Sequence, residues 1–289
     1  MQHSEGTFRG SGDLELFYQS WCPESAPAVS SRAVLGILHG SGDHSGRFER
    51  LVQPLVKHNF AVYGFDMRGY GRSPGRRGHI NSWAEYREDT GAFLNLIRQQ
   101  NPNIPVFLMG YSLGAGILLE FVLRQPADQI KSILRGIILS GTPLQPAGVA
   151  TPFQIVLARV LSRAWPTFTI QMTSDIHGVS RDPGVIEALQ NDPLHHNFVT
   201  ARWGTEAMAA MDWVRARAGA LHLPVLFIHG GSDPLNLVTG VQRYFEAVAS
   251  SDKTLKIYPE SRHETHNDLD YGQVVADIEH WMAARIDAV

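Results

Sequence analysis

The sequence holds a single cysteine, Cys22, so no disulfide can close within the chain. It lacks any apolar run approaching the ~20 residues that span a bilayer. Its opening, MQHSEGTFRGSGDLELF, lacks the basic-then-apolar pattern of a secretory leader. These absences lead to the expectation of a soluble, cytoplasmic chain and leave peripheral association with a membrane open. A basic excess is missing too: 25 lysines and arginines stand against 28 aspartates and glutamates, a formal net charge of -3. Binding through phosphates needs a cationic surplus or stripe, so a nucleic-acid partner is set aside. No internal repeat or low-complexity tract is visible, and the fold must come from ordinary packing.

What is present is a chain of 289 residues with 44% apolar content, enough for one sizeable core. Short, apolar, β-rich runs recur at Ala33–Leu38, Phe60–Phe65, Pro105–Gly110, Arg135–Ser140, Pro224–Gly230 and Leu255–Tyr258. Runs this apolar are expected to be buried on both faces, as in a mostly parallel sheet flanked by helices; Ala84–Gln100 and Ala115–Gln125 supply two of those helices. Asp13–Trp21 alternates instead and reads as a half-exposed, antiparallel edge strand. From Thr142 to about Trp213 no strand signal appears, a gap far longer than the dozen or so residues a crossover needs. Residues 144–212 are therefore expected to form an inserted helical cap on a core made of 1–143 and 213–289. Within it Phe153, Val156, Leu157, Val160, Leu161 and Ala164 recur at helical spacing, with Arg159, Ser162 and Arg163 on other faces. The stripe is expected to pack onto the main domain, with a lipid-facing or ligand-facing use as the alternative.

The stretch VFLMGYSLGAG sets Ser112 between Gly110 and Gly114, after a strand and before a helix. G-x-S-x-G in that context is a nucleophile turn: the glycines clear space, and the helix start offers N–H groups to developing negative charge. A serine hydroxyl needs a base, and the base needs a carboxylate to fix its tautomer. Asp233 follows the run PVLFIHGG and emerges at the carboxyl edge of its strand, the edge that bears Ser112. His263 and His266 follow the last run; His263 comes sooner and is preferred as the base. Two N–H donors are needed for an acyl oxyanion: Leu113, the residue after the serine, and Ser41 in the early loop HGSG. His39 and His44 are read as structural residues of that loop. The chain order Ser112, Asp233, His263 is the order found in α/β-hydrolases.

With these residues assembled, the sequence resembles the monoacylglycerol lipase and lysophospholipase branch of the α/β-hydrolase superfamily over nearly its whole length. HGSGDHSGRFE is similar to that family's oxyanion loop, FDMRGYGRSPGRRGHI to its D-x-R-G-x-G-x-S segment and GYSLGAG to its serine turn. DPLHH is similar to a cap segment, HGGSDPLNLVTG to the acid loop and YPESRHETHND to the histidine loop. The resemblance implies an α/β-hydrolase fold and hydrolysis of a single-chain lipid ester through a serine acyl-enzyme beneath a mobile cap, with Phe153, Val156, Leu157, Val160 and Leu161 as candidate contacts for the acyl chain or the membrane. Asp43 and Leu113 stand where family members often carry Glu and Met, which bears on the substrate more than on the reaction.

Rival readings are weaker. Gly40-Ser41-Gly42 after a strand, with Asp66 ending the next one, suggests a dinucleotide site, but Ser45 occupies the third glycine position. HETH spaces His263 and His266 at three residues, not the four of a zinc peptidase helix. No cofactor and no metal are expected. Lysophospholipase, general carboxylesterase, thioesterase or amidase activity on the same triad stays open, as does a silent member that binds a lipid or protein. Oligomeric state is not readable.

Overall fold

The computed structural model describes residues 1–24, 31–148, 151–172 and 176–286. In chain order the first strands are β1 (Gln2–Arg9), β2 (Glu15–Cys22), β3 (Val34–Leu38), β4 (Ala61–Phe65), β5 (Val106–Tyr111) and β6 (Gly136–Ser140). They are followed by β7 (Thr169–Gln171), β8 (Phe198–Thr200), β9 (Val225–Gly230) and β10 (Lys253–Tyr258). The main sheet has the order β1-β2-β4-β3-β5-β6-β9-β10. β2 is antiparallel to both β1 and β4, and the remaining pairs are parallel. Every residue of β3, β4, β5, β6 and β9 is buried, as their unbroken apolar runs require.

Two strand expectations need correction. The Asp13–Trp21 run forms most of β2 but is not the edge, because β1 pairs with it from Gln2↔Cys22 to Arg9↔Glu15. QHSEGTFR buries only Phe8, so its alternation leaves almost no apolar signal. The Leu255–Tyr258 run belongs to β10, which lies at the other edge and is largely half-exposed, with only Tyr258 fully covered.

The helices are α1 (Glu49–Lys57), α2 (Trp83–Gln100), α3 (Leu113–Arg124), α4 (Ala127–Ile133) and α5 (Pro152–Ala164), then α6 (Pro183–Gln190), α7 (Ala201–Arg215), α8 (Val238–Ala247) and α9 (Tyr271–Ala283). Successive strand residues point to opposite faces, so Leu35 and Ile37 join Leu51 and Leu55 of α1 and Ile278 of α9 in one apolar layer. Val34 and Leu38 join Phe93 of α2, Ile117 of α3 and Val241 of α8 in the other. Each such buried side chain contributes about 1.5–3 kcal/mol relative to exposure. The result is a sheet fixed from both sides, with its loops free to serve a site at the carboxyl ends of the strands. Among the described residues no helix is long and apolar enough to cross a membrane.

Between β6 and β9 lie α5, β7, α6, β8 and α7. The expected strand-free stretch is corrected here: β7 and β8 pair antiparallel, but at three residues each they are too short to leave a periodic signal. Residues 149–150 and 173–175 of this stretch lie outside the described residues. α5 begins at a capping box, in which Gln154 N–H donates to Thr151 Oγ1 and Gln154 Oε1 accepts from Thr151 N–H. It packs against α7, where the Ser162 and Thr205 hydroxyls lie 2.8 Å apart.

The α5 stripe does not pack as expected. Phe153 is 74% exposed, Val156 57%, Leu157 45% and Val160 56%, while Leu161 is half-buried. The helix turns Ile155, Ala158, Leu161 and Ser162 inward instead. It carries more apolar residues than one face can bury, and the heptad-like pattern marked the face left over.

Candidate active site

Ser112 is the whole connection between β5 and α3. Its backbone sits at φ 51 and ψ −116, a conformation that few L-residues hold without support from their surroundings. The support is visible: Ser112 N–H donates to Ser140 O of β6 at 2.8 Å. The flanking glycines answer a packing demand, since a Cβ at Gly110 would lie 2.4 Å from Gly114 O and one at Gly114 would lie 2.2 Å from Leu38 O. Gly110 is thus small because the first turn of α3 folds back against it, and Gly114 because the end of β3 and the start of the following loop pass close to it. Leu113 is the first residue of α3, and a first-turn N–H has no acceptor within its own helix.

Asp233 and His263 arrive from the loops after β9 and β10. His263 Nε2 is 2.9 Å from Ser112 Oγ, and His263 Nδ1 is 2.7 Å from Asp233 Oδ2. A carboxylate only accepts, so Nδ1 carries the proton and Nε2 is left to accept from the serine hydroxyl. The second Asp233 oxygen, Oδ1, accepts from Leu235 N–H at 2.8 Å and Asn236 N–H at 3.0 Å. Burial pushes the Asp233 carboxyl up, but His263, with its charge and hydrogen bond, and Asn236 N–H outweigh it and hold the group below the usual carboxylate value.

His266 occupies a different environment. It is fully buried, stacked on Phe48 with ring centroids 4.7 Å apart, and neither ring nitrogen has a hydrogen-bond partner. Burial lowers its pKa to about 4, with Arg47 and His263 adding to the shift and Glu264 opposing it. Of the two histidines, the structure brings His263 to Ser112.

On the early loop, His39 is fully buried; its Nε2 accepts from Met67 N–H at 2.9 Å and its Nδ1–H donates to Gly40 O at 2.7 Å. Burial holds this imidazole down at about 4, against the charge of Asp66, so it stays neutral. Asp43 N–H also reaches Gly40 O, at 3.3 Å. Because a trans peptide is planar, fixing Gly40 C=O on one side directs Ser41 N–H to the other. Gly40 adjoins the serine: a Cβ there would be 3.3 Å from Ser112 Cβ. Arg47 pairs with Asp43 at 2.8 Å and Glu264 at 2.9 Å, linking this loop to the histidine loop. Burial raises the Asp43 carboxyl to about 7 even though Arg47 lies beside it.

DPLHH also meets this loop: His196 N–H donates to Gly42 O at 3.1 Å, and His44 Nε2 lies 2.8 Å from Asp192 Oδ2. Phe153, Val156, Leu157, Val160 and Leu161 are not brought together with Ser112, His263 and Asp233; they belong to α5, four of them on its exposed face. Sequence reasoning passed over His229 and Asn236. His229 is fully buried with Nε2 2.8 Å from Asn236 O and 3.4 Å from Asp233 Oδ2, and Asn236 Nδ2 donates to Gly141 O at 2.9 Å. A histidine inside the otherwise apolar run VLFIHG was the available signal.

The chain matches the family model described as serine aminopeptidase, S33, over residues 29–270. It is 31% identical over 284 residues to a monoacylglycerol lipase of Mycolicibacterium smegmatis, with 98% of each chain covered. It is 30% identical to the phospholipase YtpA of Bacillus subtilis, covering 82% of this chain and 89% of that one. Among solved structures, the monoacylglycerol lipase of Paleococcus ferrophilus superimposes with a TM-score of 0.79 at 26% identity, covering 99% of this chain and 100% of that one.

Proposed function

We propose a serine hydrolase reading for this chain, which belongs to the family described as serine aminopeptidase, S33, and to the monoacylglycerol lipase branch of the α/β-hydrolase superfamily. Its reaction is hydrolysis of carboxylic esters of single-chain lipids through an acyl-enzyme. The observation that carries this reading is the relay Ser112–His263–Asp233, with spacings of 2.9 and 2.7 Å, at a strained strand-to-helix turn.

In the proposed reaction Ser112 Oγ attacks the ester carbonyl while His263 Nε2 takes its proton. Asp233 stabilises the imidazolium that results. The carbonyl oxygen becomes an oxyanion held by the N–H groups of Leu113 and Ser41, at the positive end of the α3 dipole. Collapse expels the alcohol, glycerol in a monoacylglycerol, which takes its proton from His263. Water then attacks the acyl-enzyme with His263 again as base, releasing the fatty acid and restoring the serine. The chain and water supply every group these steps use.

Residues 144–212 are proposed as the cap over a core of 1–143 and 213–289. Its apolar face, Phe153, Val156, Leu157 and Val160, with Leu161 at its margin, is proposed as lipid-facing, receiving an acyl chain or touching a membrane peripherally. The exposure of four of these side chains beside the cations Arg159 and Arg163 supports that use. The test is twofold: labelling by a fluorophosphonate, and product analysis across monoacylglycerols, diacylglycerols, lysophospholipids, short activated esters and amino-acid amides. Labelling that persists in Ser112→Ala sinks the assignment. The likeness to a protein named as a phospholipase favours a second reading, hydrolysis of a lysophospholipid, which would emerge as the preferred substrate in the same assay.

A further inference from the structure

The loop that carries His263 takes backbone partners from the segment between β7 and α6. Residues 176–182 run beside it: Glu264 N–H donates to Val179 O at 2.8 Å, and His263 N–H to Gly178 O at 3.4 Å. Ser180 Oγ donates to Asn267 O at 3.1 Å, and Arg262 Nη1 to Ser180 O at 3.1 Å. The two segments are tied together at Asp268, which is fully buried. Its Oδ2 accepts from Arg262 N–H at 2.6 Å. Its Oδ1 accepts from Leu269 N–H at 2.7 Å and from Arg181, through N–H at 3.1 Å and Nε at 3.0 Å. One carboxylate therefore holds the peptide just before His263 and the segment beside it. The same segment abuts the acid loop, since a Cβ at Gly178 would lie 2.7 Å from Pro234 Cγ, next to Asp233.

We propose that residues 176–182 form a strap that sets the position of His263, with Arg181 and Asp268 as its positioning residues; this rests on the serine hydrolase reading above. A loop beyond the end of a strand has no sheet partner to fix it, and a general base displaced by about 1 Å loses much of its effect. The strap supplies the missing partner. The inserted segment thereby acts on the chemistry of the base as well as on the substrate.

The experiment uses the full chain. Arg181 is partly exposed, so Arg181→Ala is the gentler variant, with Asp268→Asn as the stronger one. Active sites are counted by exhaustive fluorophosphonate labelling, so that rates refer to competent protein. Arg181→Ala is expected to lower kcat about tenfold on a short activated ester with KM unchanged, to slow the labelling rate by the same factor, and to affect a long-chain monoacylglycerol equally. Arg181→Lys should recover most of the rate, because its ammonium still donates to Asp268. An unchanged kcat and labelling rate in Arg181→Ala, a loss confined to KM, or a loss seen only with the long-chain ester would overturn the strap. If Asp268→Asn fails to fold, Arg181→Ala decides alone. Ser112→Ala separates the two levels: label retained there refutes the hydrolase reading, whereas an unlabelled Ser112→Ala beside a wild-type Arg181→Ala refutes only the strap.

Discussion

The surroundings of Ser112 and the outer face of α5 treat unpaired groups in opposite ways. Around the relay, Asp233 and His263 are almost fully buried and each meets a partner within hydrogen-bond distance. On α5, Phe153, Val156, Leu157 and Val160 meet water. Buried polar groups cost 1–3 kcal/mol each when left unmade, so the relay can exist only if its loops arrive already fitted. Exposed apolar groups are tolerated singly, but a stripe of them stores a gain of about 25 cal/mol per Å² for whatever covers it. Under the proposed function, chemistry is arranged before the substrate comes, and recognition is deferred until it does.

The comparison breaks most decisively at the relay. Ser112→Ala and His263→Ala are each expected to lower kcat by roughly 10⁶, as removal of either partner of a serine–histidine pair does elsewhere. Both should leave the melting temperature near wild type, since neither side chain carries the core. Steady-state kinetics on a short activated ester checks this, and a His263→Ala variant with near-normal turnover would move the base to another group. Asp233→Asn follows, with a loss of about 10⁴, because an amide in place of the carboxylate sets the wrong tautomer on His263.

His266 sharpens the contrast within a single loop, three residues from the proposed base. Its folded pKa is near 4 against an ordinary 6.5, so the folded state binds fewer protons than the unfolded one between those values. Stability from this group is complete above pH 6.5 and is lost as pH falls toward 4, by roughly 3 kcal/mol at 1.36 kcal/mol per unit. His266→Phe removes that loss: it keeps the stack on Phe48 and sacrifices no hydrogen bond. The variant should match wild type near pH 8 and become progressively more stable than it below pH 6.5 in denaturant titrations. Subtracting wild type also cancels the opposite contribution of Asp43, whose raised carboxyl favours the folded state in acid. A constant difference across pH would mean that His266 is not held neutral.

Legibility in the sequence followed burial. β3, β4, β5, β6 and β9 could be read because residues covered on both faces must be apolar without interruption. Ser112 and Asp233 stood out because chemically distinctive residues closely follow such runs, and His263 because it lies in the loop after the last strand signal; parallel strands deliver all three to one edge. β1 could not be read, since a polar edge strand has little to alternate. β7 and β8 were hidden by their length. The proposed strap was invisible for another reason: its partners lie more than 80 residues apart in the chain, and most of the groups they meet are backbone N–H or C=O, so no local spacing of residue types marks the pairing. α5 shows the limit of periodicity, which finds an apolar stripe but not which of two apolar faces the fold will cover.

That limit makes Leu157→Asp the smallest and most discriminating change. Leu157 is 45% exposed, so the substitution should cost about 1 kcal/mol through helix propensity and the covered part of the side chain, and a melting curve separates that loss from a fall in activity. If the stripe receives an acyl chain, kcat/KM for a long-chain monoacylglycerol, presented below its aggregation concentration, should fall about tenfold more than for a short activated ester. One or two lost methylene contacts at about 0.8 kcal/mol each are enough for that factor. If the stripe instead meets a membrane, the monomeric substrate should be hydrolysed normally and the loss should surface only when the same lipid is presented in vesicles, together with weaker sedimentation of the protein with them. Equal activity on the monomeric long chain, the vesicle-borne lipid and the short ester would detach α5 from lipid altogether. The contrast between a finished relay and a waiting apolar face would then describe two regions with no shared purpose.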